Sequence, residues 1–383
     1  MQTETVTATN KGGLGGFLLS LVIAAVGLYG MTQVFYHGQE ASYNISREVP
    51  WGLLIIGYSF FVAVSVGTAT ISALAHVFDV EPFHVIGKKV AMASLAALIG
   101  AFYLIFWELA GPFHLQALRL VVYFTEFKIT SPIWWMVTFY MLELPLLALE
   151  VYFLVSRKKH AAFFASLIGF FLGVIAYGTL AYVFASNATH PLWHANGFTL
   201  FFILSALAGG AGVILIMLAF DQQVPNADRA LKGLSTLLFL LLFFMLFMDV
   251  WNVLINLYGA DSELSETMRL FVGNGPLATN FYWGEIGLGI VLPMILLVLG
   301  RFRSFGLGAL AGLLSIVGVF FARYDIIVGG QMLSRPSSQM PFSVHHYFPS
   351  LAELTLFVSG IGVAGAVYFL GRMLLDLNEE VHA

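Results

Sequence analysis

Cysteine is absent from all 383 residues. Disulfides, thiolate metal sites and iron–sulfur clusters ligated by this protein are thereby excluded, and any such cluster must come from a partner. Charge is nearly as scarce. Only 10% of residues are Asp, Glu, Lys or Arg, the net charge is −4, and 59% of residues are hydrophobic. A charge so small and negative offers nothing to nucleic acid. No water-soluble fold hides that much apolar surface, so the composition defines a polytopic membrane protein embedded in the lipid bilayer. Histidine well inside an apolar segment is missing too. All ten histidines lie at segment ends or in loops, which argues against haem held between spanning helices.

What is present is a series of long apolar runs. Ten reach the length that crosses a bilayer: 14–36, 51–77, 88–111, 132–155, 161–186, 197–220, 232–257, 281–300, 305–327 and 350–374. None shows the alternation of a barrel strand, so the expected fold is an all-α bundle. The first run is too long for a signal-peptide core and reads as an uncleaved first helix. Residues 1–13 and 375–383 are then short polar tails of a membrane domain spanning 14–374. An even count puts both termini on one side. The connecting segments on that side, together with the termini, carry eleven Lys and Arg against six on the other. The positive-inside rule therefore places both termini in the cytoplasm, with the longer loops near 37–50, 112–131, 258–280 and 328–349 outside.

A faint internal repeat accompanies the spans. Trp135 and Pro145 in the fourth are ten residues apart, as are Trp283 and Pro293 in the eighth. Spans 2–5 (51–186) and 6–9 (197–327) are expected to form two four-helix bundles, flanked by spans 1 and 10.

Ionisable residues interrupt this apolar background. Glu143 sits at the middle of the fourth span and Glu150 seven residues on, so both fall on one face of a helix. A carboxylate at mid-membrane costs roughly 2.5–3.5 kcal/mol on insertion scales and needs either a partner or a function. With the topology above, Glu108, Tyr177, Asp249, Arg323, Asp325, Glu285 and Glu353 all fall toward the outer face, with His114, His190 and His194 in the outer loops or at helix starts. Acids, histidines and an arginine thus collect on one side, and Glu143 and Glu150 lead inward. That is what a quinone site with a proton path requires: hydrogen-bond partners for two ring oxygens, proton acceptors beside them, and an apolar slot. Tyr103, near the end of the third span, joins Arg323 among the candidates for the head group. Simpler readings compete for some positions. Glu285 and Glu353 suit first-turn carboxylates favoured by the helix dipole, Arg323 and Asp325 suit a pair with each other or a mark of the membrane interface, and Trp134 and Trp135 suit the interfacial belt. His76 and His84, at the cytoplasmic edge, carry no expected role.

Several motifs, in order, resemble a known family. Thr130-Ser131-Pro132-Ile133-Trp134-Trp135 is similar to the entry of a helix in the membrane subunit of polysulfide reductase. His190-Pro191-Leu192-Trp193, after a span containing Tyr177, resembles the loop that follows in that family. Arg323-Tyr324-Asp325, Val328-Gly329-Gly330-Gln331 and Tyr347-Phe348-Pro349-Ser350 with Glu353 resemble the ending of its ten-helix branch. The family is the NrfD-like one, and the resemblance runs from about Pro50 to Leu374. It implies a haem-free subunit that binds no metal itself and passes electrons between membrane quinone (menaquinone or ubiquinone) and a ferredoxin-like iron–sulfur subunit docked on the outer face, with further catalytic or cytochrome subunits. By motif, Tyr177 matches a quinone-contacting tyrosine and His190 or His194 a histidine near the site. Glu143 and Asp249 occupy positions proposed for proton transfer. Where eight-helix members carry Asn and His on their first helix, this protein has Tyr58 and Ser59. The resulting expectation is a multi-pass subunit of the inner membrane, with Tyr177, His194, Asp249 and Glu108 around the head group. A proton-coupled transporter and a passive membrane anchor are the alternatives.

Overall fold

A computed structural model describes residues 2–78, 80, 83, 86–109, 119–187, 189–195, 197–222, 224, 226–259, 262–334 and 342–377. His84, His114, Arg335 and the last residues of the C-terminal tail lie outside this set. Among the described residues ten helices are long and apolar enough to cross a membrane. They are span 1 (Gly13–His37), span 2 (Leu53–His76), span 3 (Gly87–Leu109), span 4 (Pro132–Val155), span 5 (Lys159–Ala185), span 6 (Phe198–Phe220), span 7 (Ala227–Tyr258), span 8 (Asn280–Leu299), span 9 (Phe305–Met332) and span 10 (Leu351–Leu374). The protein is an all-α polytopic membrane protein. The strands among the described residues are a two-residue antiparallel pair, Leu333–Ser334 with Ser343–Val344, in the last loop. Two spans are longer than the apolar runs suggest. Span 7 begins five residues early on a polar turn, and span 9 carries Val328-Gly329-Gly330-Gln331 as helix rather than loop.

Helix neighbours follow a simple order. Spans 2, 3, 4 and 5 pack in a ring, each on the next and span 5 back on span 2, and spans 6, 7, 8 and 9 do the same. Span 2 packs on span 6 as well, so it is enclosed on nearly every side. That crossing needs glycine. An added Cβ at Gly67 would fall 1.9 Å from the Ala206 carbonyl oxygen, and one at Gly210 would fall 2.3 Å from the Gly67 backbone. Two backbones touching directly is how helices associate where lipid supplies no hydrophobic drive. Span 10 packs on spans 1 and 3. Span 1 bends at Val26–Gly27, where a Cβ on Gly27 would meet Ser359 Cβ at 2.4 Å.

Gly13 lies against Met373, so the start of span 1 and the end of span 10 share one end of the molecule, here the terminal end. A buried ion pair closes it. Lys89 Nζ donates to Asp221 Oδ2 at 3.0 Å, with Arg372 at 3.9 Å from the other oxygen, joining spans 3, 6 and 10. The opposite end is closed by hydrogen bonds around Glu353, the N3 residue of a capping box with Ser350. Glu353 accepts from the Tyr347 hydroxyl at 2.5 Å, Asn44 N–H at 3.0 Å and Ser350 N–H at 2.9 Å. The first-turn role expected of Glu353 is the one it has. Burial, with the neighbouring Glu353 carboxylate, pushes the Tyr347 phenol upward, so it stays a donor in this knot. Gln331 adds a two-way bond to the backbone of Trp51, at 2.9 and 3.1 Å.

Candidate functional site

Two clusters of buried polar groups meet at one arginine. The first runs through spans 2, 4 and 5. Glu143 has no solvent exposure, and neither carboxylate oxygen has a hydrogen-bond partner. Tyr58 and Tyr140 stand beside it, and Gly173 of span 5 faces it so closely that a Cβ there would lie 3.0 Å from Oε1. Two turns on, about 10 Å along the helix axis, Glu150 is held instead: its Oε1 accepts from Ser166 at 2.7 Å and from Ser72 at 3.2 Å. The two acids thus differ in kind. Glu150 is met by two serine donors on Oε1, whereas Glu143 has no partner on either oxygen. In the other direction Tyr140 leads to Tyr177 of span 5.

Tyr177 is fully enclosed, and its hydroxyl accepts from Arg323 Nη2 at 2.6 Å. The same nitrogen donates to Ser205 Oγ at 2.5 Å and to the Phe202 carbonyl at 3.4 Å, and the guanidinium carbon sits 4.1 Å from the centre of the Phe202 ring. Arg323 Nε and Nη1 have no partner. The expected pairing of Arg323 with Asp325 does not occur: both Asp325 oxygens are also without partners. Two residues apart on one helix, the side chains point about 200° around the axis from each other. Arg323 turns to spans 5 and 6, and Asp325 turns to span 8.

The second cluster lies on that side. A cavity of about 80 Å³ is lined by Leu192, Phe198, Phe201 and Ile326 together with Asp249, Glu285 and Asp325. One water needs roughly 10–15 Å³ of such space, so the cavity is large enough for several. Asp249 interacts electrostatically with both Glu285 and Asp325, and Glu285 with Arg323. Glu285 is not in the first turn of span 8, as the simpler reading has it. It sits in the middle of Asn280–Val291, a stretch wound as π-helix. Pro293 closes the stretch. A proline lacks the N–H of a regular turn and its ring collides with the carbonyl four residues back, here that of Gly289. Long π stretches are rare and cluster at functional sites.

A short turn, Pro191–His194, roofs the cavity. Trp193 anchors it by donating to the Ile326 carbonyl at 2.9 Å and stacking on Trp51 at 5.2 Å. Gly330 makes room for it, since a Cβ there would lie 2.2 Å from Trp193 Nε1. The His190 ring packs 4.4 Å from Trp193. Burial lowers its pKa, against the opposing effect of the Gly330 carbonyl.

The structure therefore gathers only part of the sequence-derived set. Tyr177 and Arg323 meet directly, Asp249 lines the cavity and His190 packs in the roof, whereas Glu143 stands beside Tyr140 with no hydrogen bond between them. His194 is exposed, with Nδ1 at 3.1 Å from the His190 carbonyl, and does not line the cavity. Tyr103 bonds Ser359 at 2.8 Å, and the backbone of Glu108 accepts from Gln39. Those two belong to the corner of spans 1, 3 and 10. Trp134 and Trp135 donate to the Phe124 and Ile129 carbonyls, at 2.9 and 2.8 Å, and hold the turn before span 4. The sequence reading missed Ser205 and the convergence of Glu285 and Asp325 on Asp249. The available signal was the glycine-rich stretch Gly284, Gly287 and Gly289 ahead of Pro293.

Fold and site define a multi-pass helical membrane protein with unpaired acids buried between its spans. Residues 41–334 match the family described as polysulphide reductase, NrfD, and the protein belongs to that family. It is 24% identical to the C subunit of the selenate reductase of Mesobacillus selenatarsenatis, over 96% of its own length and 95% of that relative's. It is 25% identical to the Hdr-like menaquinol oxidoreductase integral membrane subunit of Archaeoglobus fulgidus, over 95% and 94%. With the C polypeptide of the polysulfide reductase of Wolinella succinogenes it shares 28% identity, over 41% of its own length and 51% of that relative's.

Proposed function

We propose that this protein is the quinone-interacting integral membrane subunit of a respiratory redox complex. It exchanges electrons between the membrane quinone pool and a bound iron–sulfur subunit, and further catalytic or cytochrome subunits complete the assembly. Family membership supports this reading, and the archaeal relative's name, which specifies menaquinol, favours menaquinone over ubiquinone. The balance of Lys and Arg favours the inner membrane with both termini in the cytoplasm, and hence a partner docked at the Glu353 end. A bound quinol supplies two electrons and two protons. The electrons leave to the partner's clusters, so the task left to this protein is to hold the ring and receive the protons.

The residues fit that task. The cavity beneath Leu192 and Phe198 is apolar-walled, and Asp249 in its wall has an oxygen without a hydrogen-bond partner, open to a ring hydroxyl. Arg323 and Tyr177 lie behind it, and Tyr140, Glu143 and Glu150 continue toward the terminal end. The observation that carries the reading is Glu143, a fully enclosed carboxylate with neither oxygen met by a hydrogen-bond donor. A passive anchor accounts for Glu150, whose Oε1 is met by two serines, and for Glu353, whose two oxygens are met by fixed donors, but not for Glu143. The two rings of helices, 51–186 and 197–327, are on this reading repeats with separate polar interiors.

Glu143→Gln in the intact complex tests it. Proton-coupled quinone turnover is expected to fall while the complex assembles normally. Wild-type quinone activity in that variant refutes the role given to Glu143. Extraction of the purified complex is expected to yield menaquinone.

A further inference from the structure

We propose that Asp249, Glu285 and Asp325 form a shared proton-holding site in the cavity between spans 6 and 9, presented by the π-helical stretch of span 8 and separate from the Glu143–Glu150 column. The inference rests on the quinone reading only for where the protons come from.

Three observations carry it. The three acids come from three different spans, are 8%, 4% and 2% exposed, and all line the same cavity. Neither oxygen of Asp325 completes a hydrogen bond, although Glu285 and Asn280 stand beside it, and one oxygen of Asp249 is likewise unmet. The charged or titratable groups facing the cluster are few. Among the described residues they are the three acids themselves and Arg323 of span 9, whose charge acts on Glu285. One guanidinium against three carboxyls leaves an excess of negative charge that an apolar interior does not tolerate. A bound cation or a bound proton relieves it. The proton is the ligand proposed, because Glu285 and Asp325 stand side by side, the arrangement in which two carboxyls hold one proton between them. Carboxyls this close share it rather than own it.

The π-helix supplies the geometry. Its wider turn rotates Glu285 relative to an α-helical register, and the backbone of span 8 presses on span 9, where a Cβ at Gly289 would fall 2.3 Å from Gly318 Cα. Within this stretch Glu285 faces Asp325 and Asp249. In the reaction both O–H bonds of the quinol break. One proton forms an O–H on the cluster, the other passes to the Glu143 side, and the electron pair leaves to the partner's clusters. Quinone remains, and atoms and charge balance.

The test uses the intact complex in nanodiscs and needs no quinone. Wild type is treated with dicyclohexylcarbodiimide, which reacts with protonated buried carboxyls, and labelled residues are mapped by mass spectrometry. Label is expected on one of the three acids per molecule, falling as pH rises. No label on any of them at pH 6 overturns the proposal. Infrared difference spectra between pH 5 and 9 give a second readout. Glu285→Gln and Asp325→Asn, each confirmed to assemble, are each expected to lose the same carbonyl band above 1700 cm⁻¹, and the double variant to lose no more. Two independent, additive losses, or none, overturn it. If labelling and band behave as expected while quinol oxidation is absent, the proton site stands and the quinone reading falls.

Discussion

Gly173 tests the role of Glu143 without touching its chemistry. An alanine methyl at this position would lie 3.0 Å from Glu143 Oε1 and 3.7 Å from its carboxyl carbon. The first distance is a few tenths of an ångström short of ordinary contact, so the carboxylate must yield by about that much toward spans 2 and 4. Glycine to alanine inside a helix stabilises it by roughly 0.5–1 kcal/mol, which offsets much of the strain, so folding is expected to survive. Proton transfer depends more steeply on position: a displacement of about 1 Å at a reacting group can cost 10²-fold. A shift of a few tenths therefore predicts a fall of about 3- to 10-fold in proton-coupled quinone turnover. Gly178 is the control, since a Cβ there meets nothing within 4 Å on the same helix. The assay is turnover of the complex in sealed proteoliposomes, with and without an uncoupler. Gly173→Ala is expected to be slow in both conditions and Gly178→Ala normal. Equal, wild-type rates in the two variants, with melting temperatures unchanged, would show that the position of the Glu143 carboxylate does not matter and would remove it from the path.

Other substitutions read other parts of the structure. Tyr177→Phe deletes the hydroxyl that meets Arg323 at 2.6 Å; a bond to a charged group contributes about 1.5–3 kcal/mol, and a lowered unfolding temperature of the complex should follow. Asp221→Asn leaves Lys89 buried without its counter-charge, which by analogy with other buried pairs costs about 3 kcal/mol and should show as reduced recovery of the assembled complex. His190 provides a pH signature. Its folded pKa lies below the ordinary value, so the unfolded state binds more protons in that window, and stability present above about pH 6.5 declines as pH falls through it. Wild type should lose thermal stability between pH 7 and 5 more steeply than His190→Gln, and parallel curves for the two would contradict the burial of the ring.

How much of this was legible in the sequence follows from the range of the forces involved. Spans are set by local composition, so ten runs of apolar residues read directly as ten helices, and the capping box at Ser350 and Glu353 is local as well. Glu143 also stands out locally, because nothing else charged lies in the middle of its run. Rotation of a helix about its axis is a different matter. Arg323 and Asp325 look like a pair in one dimension, yet the helix turns one to span 5 and the other to span 8. Glu285 looks like an ordinary early-turn acid until the winding of span 8 is known. Glu108 and Tyr103 share the depth of the other candidates but lie around the corner from them, between spans 1, 3 and 10. Depth is written in the sequence, whereas azimuth is decided by packing.

The azimuth of Arg323 has a further physical consequence. It is the largest charged side chain with no exposure at all, and its charge acts on Tyr177 on one side and Glu285 on the other. At an effective dielectric near 20, two unit charges still interact by about 1 kcal/mol at roughly 15 Å. A change of charge on either side therefore alters the field at the other by an amount that matters to a proton equilibrium. Such coupling is reciprocal by thermodynamic necessity. Removing the hydroxyl of Tyr177 should then change the labelling of the acids in the cavity, and neutralising Glu285 should change how firmly Arg323 holds Tyr177. The two polar interiors are separated by packed helices, and this one guanidinium joins them.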